Sequence, residues 1–251
     1  MTTTIVVAGK GGVGKTAIST LLIDLLSKKG VVLAIDADPS TNLSDALGLS
    51  LGSTVGKARE DLTEDIKKGR LSPTIPKQDV LDMKIREALV EAKGIDLLPM
   101  GRPEGPGCYC AANHMLRLSM DRLAENYDYM VVDSEAGMEH ISRQTTQEVD
   151  LLLTVSDATM RGITTAARMK DLIKEMRTTV GKIYLAVNRV KNGLPRELEK
   201  AIDDFRLDLI ATIPEDPFIA DLDIKGTPIT ELPEDAPLRL EVKGIITKLG
   251  L

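Results

Sequence analysis

The 251-residue sequence predicts a single α/β domain, built on a doubly wound and mostly parallel sheet of about seven strands flanked by helices. Seven short apolar runs, rich in β-branched residues, recur along the chain, and most of them are continuous instead of alternating. Strands that are buried on both faces of a parallel sheet have this pattern. Helical patterns lie between the runs, which is typical of a doubly wound fold. The seven predicted strands are residues 4–8, 31–36, 95–99, 129–133, 151–155, 182–188 and 209–213.

The helical segments are predicted from apolar residues spaced at one helical turn. Residues 17–28 place four aliphatic side chains on one face, and residues 164–177 place four apolar side chains on another. The C-terminal segment, residues 237–251, has a broad apolar face that would also suit a membrane-targeting helix. It has no aromatic residue and mixes Glu241 with Lys243, so packing on the sheet is the favoured interpretation.

The segment 51–93 differs from the rest of the chain, because it is charged and rich in helix-forming residues. Two dipeptides that end in proline, Ser72-Pro73 and Ile75-Pro76, interrupt it. We interpret it as a helical insertion on the surface of the single domain, which spans residues 1–251.

Composition and charge exclude several classes of protein. Hydrophobic residues make up 43% and charged residues 28%, a balance that a soluble globular protein has and a disordered chain lacks. The net charge of −6 argues against binding to nucleic acid or to anionic membranes, which both need a basic surface. No apolar run approaches membrane-spanning length, and the first residues lack the features of a cleavable signal. We therefore expect a cytoplasmic protein with no nucleic-acid partner and no stable membrane association.

A phosphate-binding motif follows the first predicted strand. Residues 9–16 read Gly-Lys-Gly-Gly-Val-Gly-Lys-Thr, which matches the P-loop spacing and opens a predicted helix. A glycine-rich turn without this function is the alternative, and the strand-to-helix context argues against it. In a P-loop the backbone N–H groups wrap the β-phosphate, so Lys15 would neutralise the β and γ oxygens and Thr16 would ligate Mg²⁺. The predicted nucleotide-binding residues here are Gly11, Gly12, Val13, Gly14, Lys15, Thr16 and Ala17.

Three aspartates stand at the carboxyl ends of predicted strands, where they would face the phosphate site. Asp36 and Asp38 end the second strand, and Asp133 ends the fourth. Carboxylates in these positions can hold the water shell of Mg²⁺ and orient an attacking water. The alternative is that they cap the helices that follow. We predict that Asp38 and Asp133 join Thr16 in a magnesium site.

Lys10, a second lysine within the P-loop, makes the motif resemble that of the deviant Walker A ATPases, the class of MinD, ParA and the nitrogenase iron protein. The resemblance covers the chain except for residues 51–93. It implies a P-loop NTPase fold and an ATP-bound homodimer, in which Lys10 reaches the phosphates of the partner chain. It also implies that Asp38 positions the hydrolytic water, so Lys10 and Asp38 are the predicted catalytic residues.

Two further regions of the site follow from the same resemblance. Residues 133–137 resemble switch II of the class, whose backbone lies near the γ-phosphate, so Gly137 is a predicted nucleotide-binding residue. The class builds its adenine pocket after the later strands. By that resemblance, Asn188, Pro214 and Glu215 would frame the base.

The two cysteines of the chain, Cys108 and Cys110, lie together in a segment rich in glycine and proline. The residues before Cys108 resemble the loop that carries a cluster-ligating cysteine in the nitrogenase iron protein, but residues 133–140 lack the second cysteine of that family. The Cys-x-Cys pair, together with the Glu-Ala-Gly-Met-Glu-His sequence at 135–140, resembles the CooC-type nickel-insertion ATPases and their relative AcsF. That resemblance implies a role in the maturation of carbon monoxide dehydrogenase or acetyl-CoA synthase.

The chemistry of a Cys-x-Cys pair independently favours metal binding. Thiolates are high-affinity ligands for Ni²⁺ and Zn²⁺, yet two sulfurs do not complete a four-coordinate shell. We therefore predict one Ni²⁺ or Zn²⁺ held by Cys108 and Cys110 of two chains. The alternatives are a redox-active pair and two small buried apolar residues. His114 is a further candidate ligand, although a lone histidine on a helix is more often structural.

Three functions are compatible with these motifs. The first is an ATP-hydrolysing metallochaperone that cycles between dimer states and helps to insert nickel into a client enzyme. The second is a positioning ATPase of the ParA or MinD kind without a metal, against which the acidic charge and the cysteine pair weigh. The third is an ATP-dependent reductase of the nitrogenase type, against which the missing cysteine in residues 133–140 weighs.

Overall fold

The computed structural model describes residues 1–71, 74–102, 110–134, 148–175 and 179–251, with the backbone alone described for residues 110–114 and 174. The strands within these residues are β1 (Thr3–Gly9), β2 (Val32–Asp36), β3 (Val90–Ala92), β4 (Ile95–Pro99), β5 (Tyr129–Asp133), β6 (Glu148–Asp157), β7 (Thr179–Val190) and β8 (Leu209–Pro214). The helices are α1 (Lys15–Leu26), α2 (Asn42–Leu47), α3 (Val55–Lys67), α4 (Lys77–Glu87), α5 (Cys110–Ala124), α6 (Met160–Glu175), α7 (Arg196–Asp204), α8 (Pro217–Lys225) and α9 (Pro237–Leu249).

The strands form one sheet in the order β3-β4-β2-β5-β1-β6-β7-β8, and every pairing is parallel except that between β3 and β4. The predicted fold class is confirmed, and each of the seven predicted strands is present. The expected number of about seven strands needs one correction, because β3 is an eighth strand that the sequence did not predict. Its three residues, with Glu91 at the centre, are too few and too polar to show a strand pattern. It forms because it pairs with β4 across a turn at Gly94.

The central strand β1 lies between β5 and β6. Strands β2 to β5 lie on one side of it and strands β6 to β8 on the other, so the strand order reverses direction at β1. Asp133 at the end of β5 is in register with Val7 of β1 on one side and with Asp36 of β2 on the other. Its carbonyl oxygen accepts a hydrogen bond from the N–H of Ala37 at 2.9 Å. The carboxyl ends of the three strands therefore lie at one level. Open α/β sheets bind ligands at such a switch point.

Helices cover both faces of the sheet. On one face α1, α2 and α9 enclose an aliphatic core, and on the other face α3, α4, α5 and α6 enclose a second one. Helix α9 buries Leu238, Val242, Ile245 and Ile246, so the predicted packing of the C-terminal segment on the sheet is confirmed. Within the described residues, no helix has both the length and the apolar character needed to cross a membrane.

Arg239 on α9 is a buried cation with several partners. Its guanidinium pairs with Asp24 of α1 at 2.7 Å and donates to the carbonyl oxygens of Leu232 at 3.0 Å and Thr230 at 2.7 Å. A buried charge is tolerated only when partners of this kind replace its hydration. The pair joins the last helix of the chain to α1, the helix that begins at the P-loop.

The segment 51–93 forms α3, α4 and β3. Val55 and Leu62 of α3 are buried in the same core as β2 and β4, and so are Leu81 and Ile85 of α4. The segment that the sequence suggested as a surface insertion therefore contributes an apolar face to the second of the two cores.

Candidate functional site

The loop between β1 and α1 needs glycine at two positions, because other strands lie directly against it. Gly9 has a φ of 155°, and a Cβ built there would lie 2.1 Å from the carbonyl oxygen of Val155 in β6. Gly14 has a φ of 92°, and a Cβ there would lie 2.5 Å from Nδ2 of Asn188 in β7. No larger residue fits either position without displacing its neighbour. The loop is thereby held closely against β6 and β7.

The two lysines of the loop have different surroundings. Lys15 is buried, and its ammonium group donates a hydrogen bond to the carbonyl oxygen of Lys10 at 3.2 Å. Lys10 itself is exposed, as are Gly11 and Gly12, whereas Val13 is buried and anchors the loop in the core. Lys15 thus stands inside the loop, where a phosphate would lie, and Lys10 is accessible to a group from outside the chain.

Asp133 is a buried carboxylate that contacts the first turns of α1. Its two oxygens accept hydrogen bonds from the hydroxyls of Thr16 at 2.7 Å and Ser19 at 2.9 Å. Burial raises the pKa of the Asp133 carboxyl, while these two hydrogen bonds and the charge of Lys15 act in the opposite direction. The charge of Asp38 also raises this pKa, so the three predicted magnesium residues, Thr16, Asp38 and Asp133, gather in one region.

Ser19 is a site residue that the sequence analysis missed. It lies three residues after Thr16 on α1, and residues at this spacing share one face of a helix. That spacing is the signal that would have found it. Because Ser19 and Thr16 both donate to Asp133, the first turns of α1 are tied to the end of β5.

Asp36 holds the backbone of the following loop. It is fully buried, and its carboxylate accepts hydrogen bonds from the N–H groups of Leu43 at 3.0 Å and Asp38 at 3.1 Å. Burial raises the pKa of Asp36 to about 7, and the nearby charge of Asp133 contributes to the same shift. Because Leu43 lies in the first turn of α2, the capping interpretation applies to Asp36.

Asp38 is half-buried and sits at the start of the loop that Asp36 organises. Its carboxylate accepts hydrogen bonds from the N–H of Ser40 at 2.9 Å and from the hydroxyl of the same residue. Thr41, three residues later, has a φ of 54°, an uncommon conformation for a residue with a branched Cβ. The loop that carries Asp38 is therefore strained at one point, while its two ends are held by Asp36.

A cavity of about 190 Å³ opens beside the P-loop. It brings together five predicted nucleotide-binding residues, namely Gly14, Ala17, Asn188, Pro214 and Glu215. Asp216, which the sequence analysis did not select, also lines it and accepts hydrogen bonds from the N–H groups of Phe218 and Leu238, both at 3.0 Å. These bonds fix the starts of α8 and α9 at the rim of the cavity.

Asn188 does more than line this cavity. Its Nδ2 donates a hydrogen bond to the carbonyl oxygen of Val13 at 2.8 Å, and its Oδ1 accepts one from the N–H of Arg189 at 2.9 Å. The residue is 6% exposed. Asn188 therefore braces the P-loop from β7, a role that the sequence analysis did not assign to it.

Several predicted residues lie outside the part of the chain that the structure describes. Cys108 and Gly137 are outside it, as are the side chains of Cys110 and His114. The backbone of Cys110 is described and forms the first residue of α5. Among the described residues, no group of three or more histidine, cysteine and acidic side chains could hold a metal ion. The predicted Cys-x-Cys metal site therefore stays a prediction.

Comparison with known proteins gives consistent matches over nearly the whole chain. A family model described as the CobQ/CobB/MinD/ParA nucleotide binding domain matches residues 4–229. An uncharacterized ATP-binding protein of Methanocaldococcus jannaschii is 44% identical over 246 residues, which cover 98% of this chain and 97% of that protein. The carbon monoxide dehydrogenase accessory protein CooC of Rhodospirillum rubrum is 32% identical over 236 residues, which cover 88% of this chain and 87% of that protein.

The solved structures agree with this fold. The MinD cell division protein of Aquifex aeolicus has a TM-score of 0.69 and is 26% identical, and the match covers 99% of this chain and 96% of that one. The overall fold of the chain is therefore similar to that of this known protein.

The bracing contact of Asn188 leads to a testable prediction. In Asn188→Ala the carbonyl of Val13 and the N–H of Arg189 lose their partners, so we expect the free energy of unfolding to fall by about 1–3 kcal/mol. ATP affinity should fall with it, because the P-loop backbone is no longer held against β7. Chemical denaturation and calorimetric titration with ATP measure the two effects.

Asn126→Ala is the matched control, since Asn126 is exposed in the turn that follows α5. It should leave ATP affinity unchanged. If Asn188 only contacted the base, Asn188→Ala would alter the preference between ATP and GTP and leave stability intact. That result would contradict the bracing role.

Proposed function

Because the chain belongs to the CobQ/CobB/MinD/ParA family and is an ATPase, we propose that it is a metallochaperone that helps to insert nickel into carbon monoxide dehydrogenase or acetyl-CoA synthase. The observation that carries the proposal is the Cys108-Tyr109-Cys110 sequence, in a chain that is 32% identical to a carbon monoxide dehydrogenase accessory protein. In this proposal the protein acts in the cytoplasm as a homodimer, and nickel is its cargo.

The described residues fit a magnesium nucleotide. The Thr16 hydroxyl and the Asp133 carboxylate lie 2.7 Å apart, and hydroxyl and carboxylate oxygens are the ligands that Mg²⁺ prefers. Thr16 would hold the ion, with Asp133 orienting its water shell. The bound ion would neutralise charge on the β- and γ-phosphates, and Lys15 would share that role from within the loop.

Asp38 is the best candidate to orient the attacking water. It is half-buried at the carboxyl end of β2, and its backbone N–H is held by Asp36. Asp36 is already committed to two backbone N–H groups, which leaves Asp38 as the more accessible carboxylate of the pair. A carboxylate in this position can accept a proton from water as the water attacks the γ-phosphate.

Lys10 is suited to act on a second copy of the chain. Its carbonyl oxygen is engaged by Lys15, which fixes its backbone, while the residue is exposed. A cation supplied by a partner chain stabilises charge that develops in phosphoryl transfer. We infer that the ATP-bound state is a homodimer in which each Lys10 serves the site of the other chain.

The cysteine pair would hold the cargo between the two chains. Two sulfurs from each chain complete a four-coordinate shell for Ni²⁺ or Zn²⁺ at a two-fold axis. Helix α5 begins at Cys110, and the N-terminus of a helix favours negatively charged groups such as thiolates. ATP binding and hydrolysis would then change the dimer and release the metal to the client enzyme.

A positioning ATPase is the second candidate, and the likeness to the MinD cell division protein favours it. The candidates differ in the metal that they would bind. The metallochaperone would bind Ni²⁺ or Zn²⁺, the positioning ATPase would bind no metal at the cysteines, and a reductase would carry an iron–sulfur cluster. The absorption spectrum of protein purified without oxygen separates them. Thiolate bands on addition of Ni²⁺ support the metallochaperone, a brown iron–sulfur spectrum supports the reductase, and neither supports the positioning ATPase.

The metallochaperone proposal predicts one Ni²⁺ or Zn²⁺ per dimer. Metal should promote dimerisation without nucleotide, because an ion that bridges two chains binds the dimer and not the monomer. The double variant Cys108→Ala with Cys110→Ala should lose the metal and the metal-driven dimer, while ATP binding is kept. Metal analysis and light scattering under reducing, anaerobic conditions measure both. One tightly held ion per monomer, or unchanged metal content in the double variant, would falsify the shared site.

The dimer mechanism predicts complementation between two inactive chains. Lys10→Ala and Asp38→Asn should each bind ATP and each lose hydrolysis by about 100-fold or more, as on removal of a group that acts in the transition state. A mixed dimer keeps one site with its own Asp38 and a partner's Lys10, so about half of the wild-type rate should return. Steady-state phosphate release from purified heterodimers measures this. Heterodimers without recovered activity would show that Lys10 does not act across the interface.

A further inference from the structure

Two hydroxyls of α1 hold the two oxygens of one carboxylate. The Thr16 hydroxyl donates to Oδ2 of Asp133 at 2.7 Å, and the Ser19 hydroxyl donates to Oδ1 at 2.9 Å. Residues three positions apart lie on one side of a helix, so a single surface of α1 meets both oxygens. The plane of the Asp133 carboxylate is therefore set by two hydrogen bonds from opposite ends of the group.

The main chain on both sides of this contact is already fixed. Asp133 ends β5 between β1 and β2, in register with Val7 on one side and Asp36 on the other. Ser19 lies in the second turn of α1. The remaining freedom of Asp133 is rotation of its side chain, and a bond from Thr16 alone would leave the carboxylate free to turn about that bond. The bond from Ser19 removes this rotation.

Burial makes the Ser19 hydroxyl hard to replace. Ser19 is 0% exposed and Asp133 is 2% exposed, so bulk water does not reach the contact. A buried acceptor that loses its donor is left unsatisfied or has to turn toward another partner. Removal of the Ser19 hydroxyl would therefore act on the orientation of Asp133.

The direction of the Thr16 hydroxyl decides what its oxygen can bind. A threonine hydroxyl has one hydrogen and two acceptor lone pairs. Because the hydrogen is directed at Oδ2 of Asp133, the lone pairs of the Thr16 oxygen point away from the carboxylate. These lone pairs are the ones that would hold Mg²⁺. Their direction depends on where Oδ2 lies, and Ser19 fixes Oδ2 through the other oxygen of the same group.

We propose that Ser19 is a positioning residue of the magnesium site and acts through Asp133 on the hydroxyl of Thr16. Ser19 sets the plane of the carboxylate, and the carboxylate sets the direction in which Thr16 presents its oxygen. Ser19 is fully buried, so it does this without contact to the nucleotide or the ion. The inference rests on the magnesium site of the proposed function, and it is independent of the cysteine pair and of nickel.

The next residue of α1 provides a matched comparison. Thr20 is fully buried like Ser19, and its hydroxyl donates to the carbonyl oxygen of Thr16 at 2.7 Å. This bond is made to the backbone of the same helix and does not involve a carboxylate. Ser19→Ala and Thr20→Val therefore each remove one buried hydroxyl from α1, and only Ser19→Ala removes a donor to Asp133.

The test is calorimetric titration of the full-length protein with ATP, over a series of Mg²⁺ concentrations and in a chelator. In Ser19→Ala, the Mg²⁺ concentration that gives half of the effect on ATP affinity should rise by about 10-fold or more, as on loss of a group behind a metal ligand. The affinity for ATP in the chelator should stay at the wild-type value. Thr20→Val should keep the wild-type Mg²⁺ dependence, even where it lowers the denaturation midpoint.

A conservative variant and the rate of hydrolysis separate positioning from folding. Ser19→Thr keeps the hydroxyl and adds one methyl group, so it should restore most of the Mg²⁺ dependence that Ser19→Ala loses. Chemical denaturation shows which variants are folded. If the added methyl group prevents folding, the comparison of Ser19→Ala with Thr20→Val decides alone. Hydrolysis by Ser19→Ala should recover as Mg²⁺ is raised, because a higher ion concentration compensates for weaker binding and does not repair a misfolded chain.

Two results would overturn the inference. One is a wild-type Mg²⁺ dependence in folded Ser19→Ala, and the other is an equal loss of Mg²⁺ dependence in Ser19→Ala and Thr20→Val. Either result leaves the magnesium site of Thr16 and Asp133 in place. A wild-type protein whose ATP affinity does not respond to Mg²⁺ would instead contradict that site, and the inference would fall with it.

Discussion

The site depends on the hydrogen bonds that Thr16 and Ser19 donate to the buried carboxylate of Asp133. This residue lies at the end of a central strand with 2% of its surface exposed, where an ionised group is costly unless other groups replace water. Thr16 and Ser19 supply two hydroxyl donors and Lys15 supplies a nearby charge. The helix that follows the P-loop is therefore tied to the strand that ends beside it. Thr16 and Asp133 would hold Mg²⁺ in the proposed mechanism, and the ion would supply positive charge beside this carboxylate.

The other two aspartates of the site, Asp36 and Asp38, have different roles. Asp36 is buried, and its carboxylate accepts hydrogen bonds from two backbone N–H groups of the next loop. Its carbonyl oxygen accepts one from the N–H of Met100. Asp38 is more accessible, and it sits on a loop with a strained residue at Thr41. A rigid base and a strained loop together are what a switch requires, because only the loop has to rearrange. This arrangement is the structural basis of the proposed hydrolysis.

Much of the fold was predictable because it depends on local patterns. The continuous apolar runs identified seven strands, and the glycine spacing identified the P-loop without any tertiary information. The sequence did not reveal the contacts between distant residues. Ser19 meets Asp133 across 114 positions, and Asn188 meets Val13 across 175. Strand β3 was missed for the same reason, since it forms only because β4 lies beside it.

The Mg²⁺ dependence of ATP affinity in Asp133→Asn is the most direct test of the central claim. Asparagine keeps the shape of the side chain and an acceptor oxygen, and it removes the charge. We expect the wild type to bind ATP more tightly with Mg²⁺ than with a chelator. The variant should lose about 10- to 100-fold of Mg²⁺ affinity, as expected for a group that orients a metal's ligands, and should keep its affinity for ATP in the chelator. A variant with the full Mg²⁺ effect would contradict the role of Asp133.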